Sequence, residues 1–246
     1  MQQYRPTGFN VLPLVVKNIL IINVLFYLGT IAGEQAFHVD LGRYLALHYP
    51  GSELFRPHQL VTYMFMHSTN GFTHILFNMF AVWMFGNALE NVWGPKRFLT
   101  YYMITGIGAG LIQILVTYIQ VVSVESEMAP QLIEMVRNEG LAIYLEGKNY
   151  VDPLAGKLNI LLNTATVGAS GSVFGLLLGF GMLFPNALIY LYFAIPVKAK
   201  YFVMGYGALE LFSGISNNPN DNVAHFAHLG GMIFGYLLLI FWKKRR

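Results

Sequence analysis

A chain of 246 residues that is 55% hydrophobic and only 11% charged is unlike a water-soluble domain, in which about a quarter of residues carry charge. Mean hydropathy is +0.51, and the net charge of +3 is not gathered into a basic face, so the chain reads as a membrane protein without a nucleic-acid partner. The absence of cysteine excludes disulfides, thiolate metal sites and a cysteine nucleophile.

Charge-free runs lie between Lys17 and Glu34, Arg56 and Glu90, Arg97 and Glu125, Lys157 and Lys198, and Asp221 and Lys243. A spanning helix needs about 20 apolar residues, so the chain is polytopic. Lys200 to Phe212 is a weaker run, closed by Glu210. The N-terminus carries Arg5 but lacks the successive charged region, short apolar core and small-residue cleavage site of a signal peptide, so no removable leader is expected. Residues 1–14 read as a short cytoplasmic segment and 15–246 as one membrane domain.

The first helix is expected over about 15–32. The loop that follows, to Arg56, carries Phe37, Leu41, Tyr44, Leu45 and Leu47. It suits a segment lying on the membrane surface and an ordinary external loop equally well. A second helix covers about Thr73 to Leu89, with an earlier start before Asn70-Gly71 left open. Gly94-Pro95-Lys96-Arg97 is a tight turn into a third helix over Phe98 to Val121. Residues 122–157 form an acidic external insertion. Within it Pro130 and Gly140 bracket a short helix, since proline favours the first helical position and glycine the position just past the end. Its Leu132, Ile133, Met135 and Val136 are expected to cap the bundle, and its carboxylates have no accompanying histidine that would suggest a metal site.

A fourth helix begins near Ser170 and stops before Pro185-Asn186. Its roughly 15 residues rise about 22 Å, against a hydrocarbon core about 30 Å thick. One end is therefore submerged. If the C-terminal end reaches the cytoplasmic face, Ser170 lies below the outer surface, in a wet cavity, because irregular backbone at that depth must be covered by protein or water. Ala187 to Pro196 reads as an interfacial connection, Ala199 to Phe212 as a fifth helix and Asn222 to Trp242 as a sixth. Arg5, Lys17, Lys96, Arg97, Lys198, Lys200 and the tail Lys243-Lys244-Arg245-Arg246 sit at alternate boundaries, and most acids lie in the segments between. The positive-inside rule places the basic group in the cytoplasm. Both termini are then inside, which demands an even number of spans, and six fits.

Gly171, Gly175 and Gly179 recur every four residues on the fourth helix, and Gly231 and Gly235 on the sixth, in register with His228. Such faces let helix backbones approach closely. Packing alone is the ordinary explanation, but these two faces also carry a serine and a histidine. Contact between them brings Ser170 within hydrogen-bond reach of His228. A serine hydroxyl is a weak nucleophile until a neighbouring base takes its proton, and histidine suits that task. His74 and Asn78, spaced i, i+4, share one face of the second helix. They suit either an oxyanion hole, which needs convergent donors, or a polar contact between helices. His225 reads as structural, closing the cavity, and His67 as structural at the start of the second helix. His38, His48 and His58 read as loop or interface residues. There is no His-Glu-x-x-His string. Histidines of the second and sixth helices can converge on zinc, but neither charge-free core holds a carboxylate, so metal hydrolysis is disfavoured.

Three strings, His74-Ile75-Leu76-Phe77-Asn78, Gly168-Ala169-Ser170-Gly171 and Ala224-His225-Phe226-Ala227-His228-Leu229-Gly230-Gly231, fall in this order on the second, fourth and sixth helices. Together they resemble the rhomboid intramembrane serine proteases, from about Lys17 onward. The resemblance implies an all-α, six-helix membrane bundle with both termini cytoplasmic. It implies that Ser170 is the nucleophile and His228 the base of a Ser–His dyad without a cofactor or metal. His74, Asn78 and the Ser170 backbone N–H would bind the oxyanion. Gly168, Gly171 and Gly231 would support this arrangement, and Phe174 would support the histidine ring, where tyrosine is frequent in the family. His58-Gln59 replaces a frequent Trp-Arg pair, and the 122–157 insertion is longer than in compact members. No carboxylate is evident to orient His228, so packing is expected to do so. The implied activity is cleavage of peptide bonds in or beside transmembrane segments that enter laterally from the lipid. The expected location is multi-pass in a bacterial plasma (inner) membrane, with the site opening outward. A catalytically inactive relative that binds membrane helices is the alternative, and a transporter with a polar midplane site is a more distant one.

Overall fold

The computed structural model describes residues 10–69, 71–191, 194–216 and 223–244. Arg5, Asn70, Asp221, Asn222, Arg245 and Arg246, used in the boundary and charge arguments above, lie outside the described residues. The described elements are α1 (Leu14–Ala36), α2 (Gly42–Leu45), α3 (Gln59–Thr62), α4 (Thr73–Trp93), α5 (Pro95–Glu125), α6 (Pro130–Leu145), α7 (Pro153–Asn163), α8 (Ser170–Leu183), a hairpin of β1 (Leu188–Leu191) and β2 (Ile195–Lys198), α9 (Ala199–Ser216) and α10 (His225–Lys244). A 3₁₀ turn, Tyr63–Phe65, continues α3.

Among the described residues three helices, α1, α5 and α10, are long and apolar enough to cross a membrane, and α8 is a shorter apolar helix. Large side chains such as Leu25, Leu28, Phe77, Ile119, Met204, Phe212 and Leu237 lie exposed on the helix surfaces. An apolar exterior of this extent suits lipid rather than water.

α8 sits at the centre, with α4, α5, α9 and α10 packed around it. Residues 171–177 of α8 are buried without interruption, as expected of a helix that is apolar on every side. It begins at Ser170, where the sequence predicts it, and ends before Pro185. Its 14 residues give a length of about 21 Å.

The glycine faces are used differently from the simple expectation. A Cβ at Gly231 would overlap the Gly171 carbonyl oxygen, so α8 and α10 touch backbone to backbone there. Gly175 and Gly235 instead receive α5. A Cβ at Gly175 would lie 2.5 Å from the Thr105 Cβ, and one at Gly235 would lie 2.5 Å from the Tyr101 hydroxyl. Gly179 faces Trp93 and Tyr101. The Tyr101 hydroxyl also donates to the Gly175 carbonyl at 2.9 Å. The small residues therefore seat three helices rather than two.

The insertion is larger in structure than the sequence predicts. α6 runs through Gly140 to Leu145, so Gly140 is not its stop. It is the point where α7 comes close, since a Cβ there would overlap the Asn159 side chain. The second helix, α7, was not expected. It starts with Pro153 behind an Asp152 cap that accepts from the Ala155 N–H at 2.8 Å. Val136 of α6 and Ala155, Leu158 and Leu162 of α7 form a second core with Val121 and Val124 of α5. The interfacial connection is the antiparallel β1–β2 hairpin, with Leu188 opposite Lys198.

Candidate active site

The segment entering α8 is fixed before it reaches Ser170. Leu47 and Thr166 exchange backbone hydrogen bonds of 3.0 and 2.8 Å, and the Gly168 N–H donates to the Tyr63 carbonyl at 3.0 Å. Gly168 has φ +126°, a conformation that side-chain-bearing residues rarely adopt. A Cβ there would also press on the His74 ring at 3.2 Å. Ser170 follows as the first helical residue, at the helix end where backbone N–H groups lack intrahelical acceptors and the dipole favours negative charge.

α10 delivers His228 to this point. Its Nε2 lies 2.9 Å from the Ser170 Oγ. The ring stacks on Phe174, one turn below Ser170, with centroids 4.2 Å apart and planes 7° apart. Tyr206 of α9 stacks on the other side of Phe174 at 5.1 Å. His228 is buried, with 8% of its surface exposed.

A carboxylate does face His228, which corrects the expectation that packing alone orients it. Glu210 of α9 places its Oε2 2.9 Å from the His228 Nδ1 and 2.6 Å from the His225 Nδ1. In the sequence Glu210 closes a weak apolar run. The overlooked signal was a carboxylate inside a helix whose neighbours Leu209, Leu211 and Phe212 are all apolar, because ionisable groups in such helices are expensive and mark sites. Linear distance hid the pairing, since residues 15 and 18 apart meet only when α9 and α10 pack. His225, set aside as structural, belongs to the same cluster. An ionised carboxylate only accepts, so the two Nδ1 atoms donate. In neutral His228 the lone pair is then on Nε2, facing the serine hydroxyl.

Glu210, His225 and His228 each offer one ligand atom, all within 4.8 Å of one another. The cluster thus has donors suited to a divalent cation, with the carboxylate supplied by α9 and not by either of the charge-free cores that carry histidines. A cation there would take the same atoms that now make the two N–H···O contacts.

His74 lies on the opposite side of the serine loop. Its Cε1 and Nε2 both come within 3.2 Å of a Cβ built at Gly168, and Ser170 Oγ is 3.6 Å from the same point. The Ser68 N–H approaches the His74 Nδ1 at 3.5 Å, which leaves Nε2 as the donor. Asn78 gives one amide hydrogen to the His74 carbonyl at 2.8 Å and has a second to offer. His67 stacks edge-on to His74 at 5.2 Å and pairs with Asn23 of α1 at 2.9 Å.

The loop between α1 and α3 is anchored by His58-Gln59, the pair that stands where Trp-Arg is frequent. The Gln59 side chain accepts from the His48 and Arg56 N–H groups at 3.3 and 3.1 Å and donates to the Leu54 carbonyl at 2.9 Å. The His58 Nε2 meets the Tyr44 carbonyl at 2.8 Å. His48 lies in this loop and is buried, and burial holds its imidazole below the usual value against a weaker opposing pull from Asp40. A cavity of about 670 Å³ opens beside His225, walled by Gln120 of α5, Asn149, Asp152 and Lys157 of the insertion, and Ser213 of α9.

Comparison with known proteins identifies the family of the chain. The rhomboid domain family matches residues 54–129 and 131–245. The putative rhomboid protease YdcA of Bacillus subtilis is 30% identical over 192 residues, which cover 76% of this chain and 69% of that protein. The RHOMBOID-like protein 12, mitochondrial, of Arabidopsis thaliana is 29% identical over 72% of this chain, which spans only 44% of its length. An uncharacterized mitochondrial rhomboid protein of Schizosaccharomyces pombe is 24% identical over 92% of this chain and 64% of its own. With the match extending over most of its length, this chain is an integral membrane protein of the rhomboid family.

Proposed function

We propose that the chain is an intramembrane serine endopeptidase that cleaves peptide bonds in or beside transmembrane segments, with Ser170 as nucleophile and His228 as base. The observation that carries this reading is the 2.9 Å approach of the His228 Nε2 to the Ser170 Oγ, at a helix N-terminus beside His74. In the first step the Oγ bonds to the scissile carbonyl carbon and its proton passes to Nε2. The carbonyl oxygen gains the charge and is met by the Ser170 N–H, the His74 Nε2–H and the second amide hydrogen of Asn78. As the C–N bond breaks, Nε2 returns the proton to the leaving amine. Water then attacks the acyl-serine, giving its proton to Nε2, and Ser170 leaves with that proton restored.

The proposed setting is six spans, α1, α4, α5, α8, α9 and α10, with both termini in the cytoplasm and the site opening outward. The short α8 supports a submerged serine. The substrate helix would enter from the lipid between α4 and α9, which both pack on α8 and make little contact with each other. A bacterial plasma membrane is the first choice of location; mitochondrial and chloroplastic names among the relatives make an organelle membrane the second. Because the chain has no native cysteine, orientation is testable directly. A cysteine replacing Val151, which is fully exposed, should react with an impermeant thiol reagent outside intact cells, and one replacing Lys96 should not. Labelling at position 96 from outside would overturn the orientation.

The activity is tested by incubating the purified chain in detergent with a single-span test substrate. Cleavage by the wild type and none by Ser170→Ala is expected. Binding of the substrate without cleavage would instead favour a helix-binding rhomboid-like protein.

A further inference from the structure

We propose that Glu210 completes the catalytic unit as a positioning residue that fixes the orientation and tautomer of His228, and that His225 in turn fixes the carboxylate. The inference rests on the protease reading above and extends its dyad to a Ser170–His228–Glu210 arrangement braced by His225.

The need for such a group follows from what stacking leaves undetermined. Phe174 holds the plane of the His228 ring. A flat stack is nearly indifferent to a half-turn of the ring that exchanges Nδ1 with Cδ2 and Nε2 with Cε1, and to which nitrogen carries the proton. An acceptor placed at Nδ1 settles both. Glu210 supplies it at 2.9 Å, and the free Nε2 lone pair is then turned onto the Ser170 hydroxyl. A base oriented by a third group is the general logic of activated serines.

The carboxylate is placed with similar care. It comes from α9, whose other buried residues, Ala199 and Val203, lie in the first two turns. Glu210 is 7% exposed while Leu209, Leu211 and Phe212 around it face outward. A carboxylate turned inward from such a helix, with its Oε2 shared between two imidazole N–H groups, is a directed feature and not a solvated surface charge. The titratable groups around it are Tyr206, one turn earlier on α9, and His225 and His228 on α10; Ser170 and Phe174 face His228 from α8. The His225 contact, at 2.6 Å, keeps the oxygen from rotating away when His228 changes charge.

The proton arithmetic closes without Glu210 changing state. The Ser170 proton moves to Nε2 as the Oγ electron pair bonds to the substrate carbon. His228 becomes an imidazolium beside an ionised carboxylate, so no uncompensated charge is buried. Glu210 keeps its charge, and His225 keeps its Nδ1–H on the same oxygen.

The test uses the purified full chain in detergent, the single-span substrate and a serine-directed fluorophosphonate. Loss of the triad carboxylate costs about 10⁴-fold in soluble serine proteases. That loss is for the amide replacement itself; here the Phe174 stack still holds the plane of the ring, so Glu210→Gln is expected to lower kcat by about 10²-fold or more, with KM changed less than about threefold. Fluorophosphonate labelling of Ser170 should slow in parallel. Glu210→Asp, which restores the charge one methylene shorter, should regain about tenfold of the lost rate. In a His228→Ala background Glu210→Gln should slow labelling no further, because its effect passes through the ring. Unchanged kcat in Glu210→Gln, an equal loss in the Asp variant, or a further fall in the His228→Ala background would each overturn the inference while leaving the protease reading intact. A wild type that neither cleaves nor labels would overturn both. Activity abolished by a chelator and restored by zinc would overturn it by assigning the same three side chains to a metal.

Discussion

The α5–α8–α10 crossing and helix α9 hold the two sides of the candidate active site by different means. At the crossing, contact is backbone to backbone. Gly231 on Gly171, Gly175 on Thr105 and Gly235 on Tyr101 leave no room for a Cβ. α9 buries only Ala199, Val203 and Glu210, and a Cβ at Gly205 would meet nothing. Ser170 and His228 therefore sit on helices whose separation is set by atoms that cannot be compressed, as close-packed interiors require. Glu210, the partner of His228, hangs from a helix held largely by side-chain contacts. Precision is concentrated where bonds would be made, and adaptability lies on the side proposed to admit substrate.

The comparison is broken most sharply at Gly231. Gly231→Ala should force α10 off α8, and a shift of about 1 Å at a catalytic pair can lose roughly 10²-fold in rate. The measurement is kcat together with the thermal midpoint, and an active, stable Gly231→Ala protein would show that backbone contact there is unnecessary. Next in size is the oxyanion side. Removing one oxyanion donor elsewhere costs about 10²–10³-fold, so the His74→Ala, Asn78→Ala double variant should lose at least about 10² in kcat. Asn78→Ala alone should lose only about 10-fold, because other donors remain. Wild-type turnover in the double variant would remove both residues from the mechanism.

Smaller effects sharpen the contrast. Gly140→Leu should wedge α6 from α7 and destabilise by about 1–3 kcal/mol, as overpacking does, while kcat stays near wild type. A large loss of kcat would show that the insertion acts on the site. Leu209→Ala and Met204→Ala, both on the outer side of α9, should change stability by no more than about 0.5 kcal/mol. A larger loss in detergent thermal melts would mean that α9 is held as firmly as α10.

Legibility in the sequence followed the range of the signal. The meeting of Ser170 and His228 was readable because short local strings, a glycine before the serine and glycines after the histidine, carry them. The α8 boundaries were readable because Pro185 ends the helix and Ser170 starts it. Gly140 misled because a glycine that admits a neighbouring helix and one that stops its own look alike in one dimension. α7 was missed because its apolar residues run on into the charge-free stretch after Lys157, which merged it with the next segment. Glu210 was missed because its meaning is a contact between α9 and α10, and from sequence alone a lone carboxylate near a helix end reads as a boundary.

The central claim is that Ser170 and His228 act as one unit, and a double-variant cycle tests it most directly. Residues that work together are grossly non-additive. Cleavage of the single-span substrate should therefore fall to a similar residual rate in Ser170→Ala, His228→Ala and the double variant, and the fluorophosphonate should label Ser170 quickly in the wild type and far more slowly in His228→Ala. Multiplying losses in the double variant, or undiminished labelling of His228→Ala, would contradict the account.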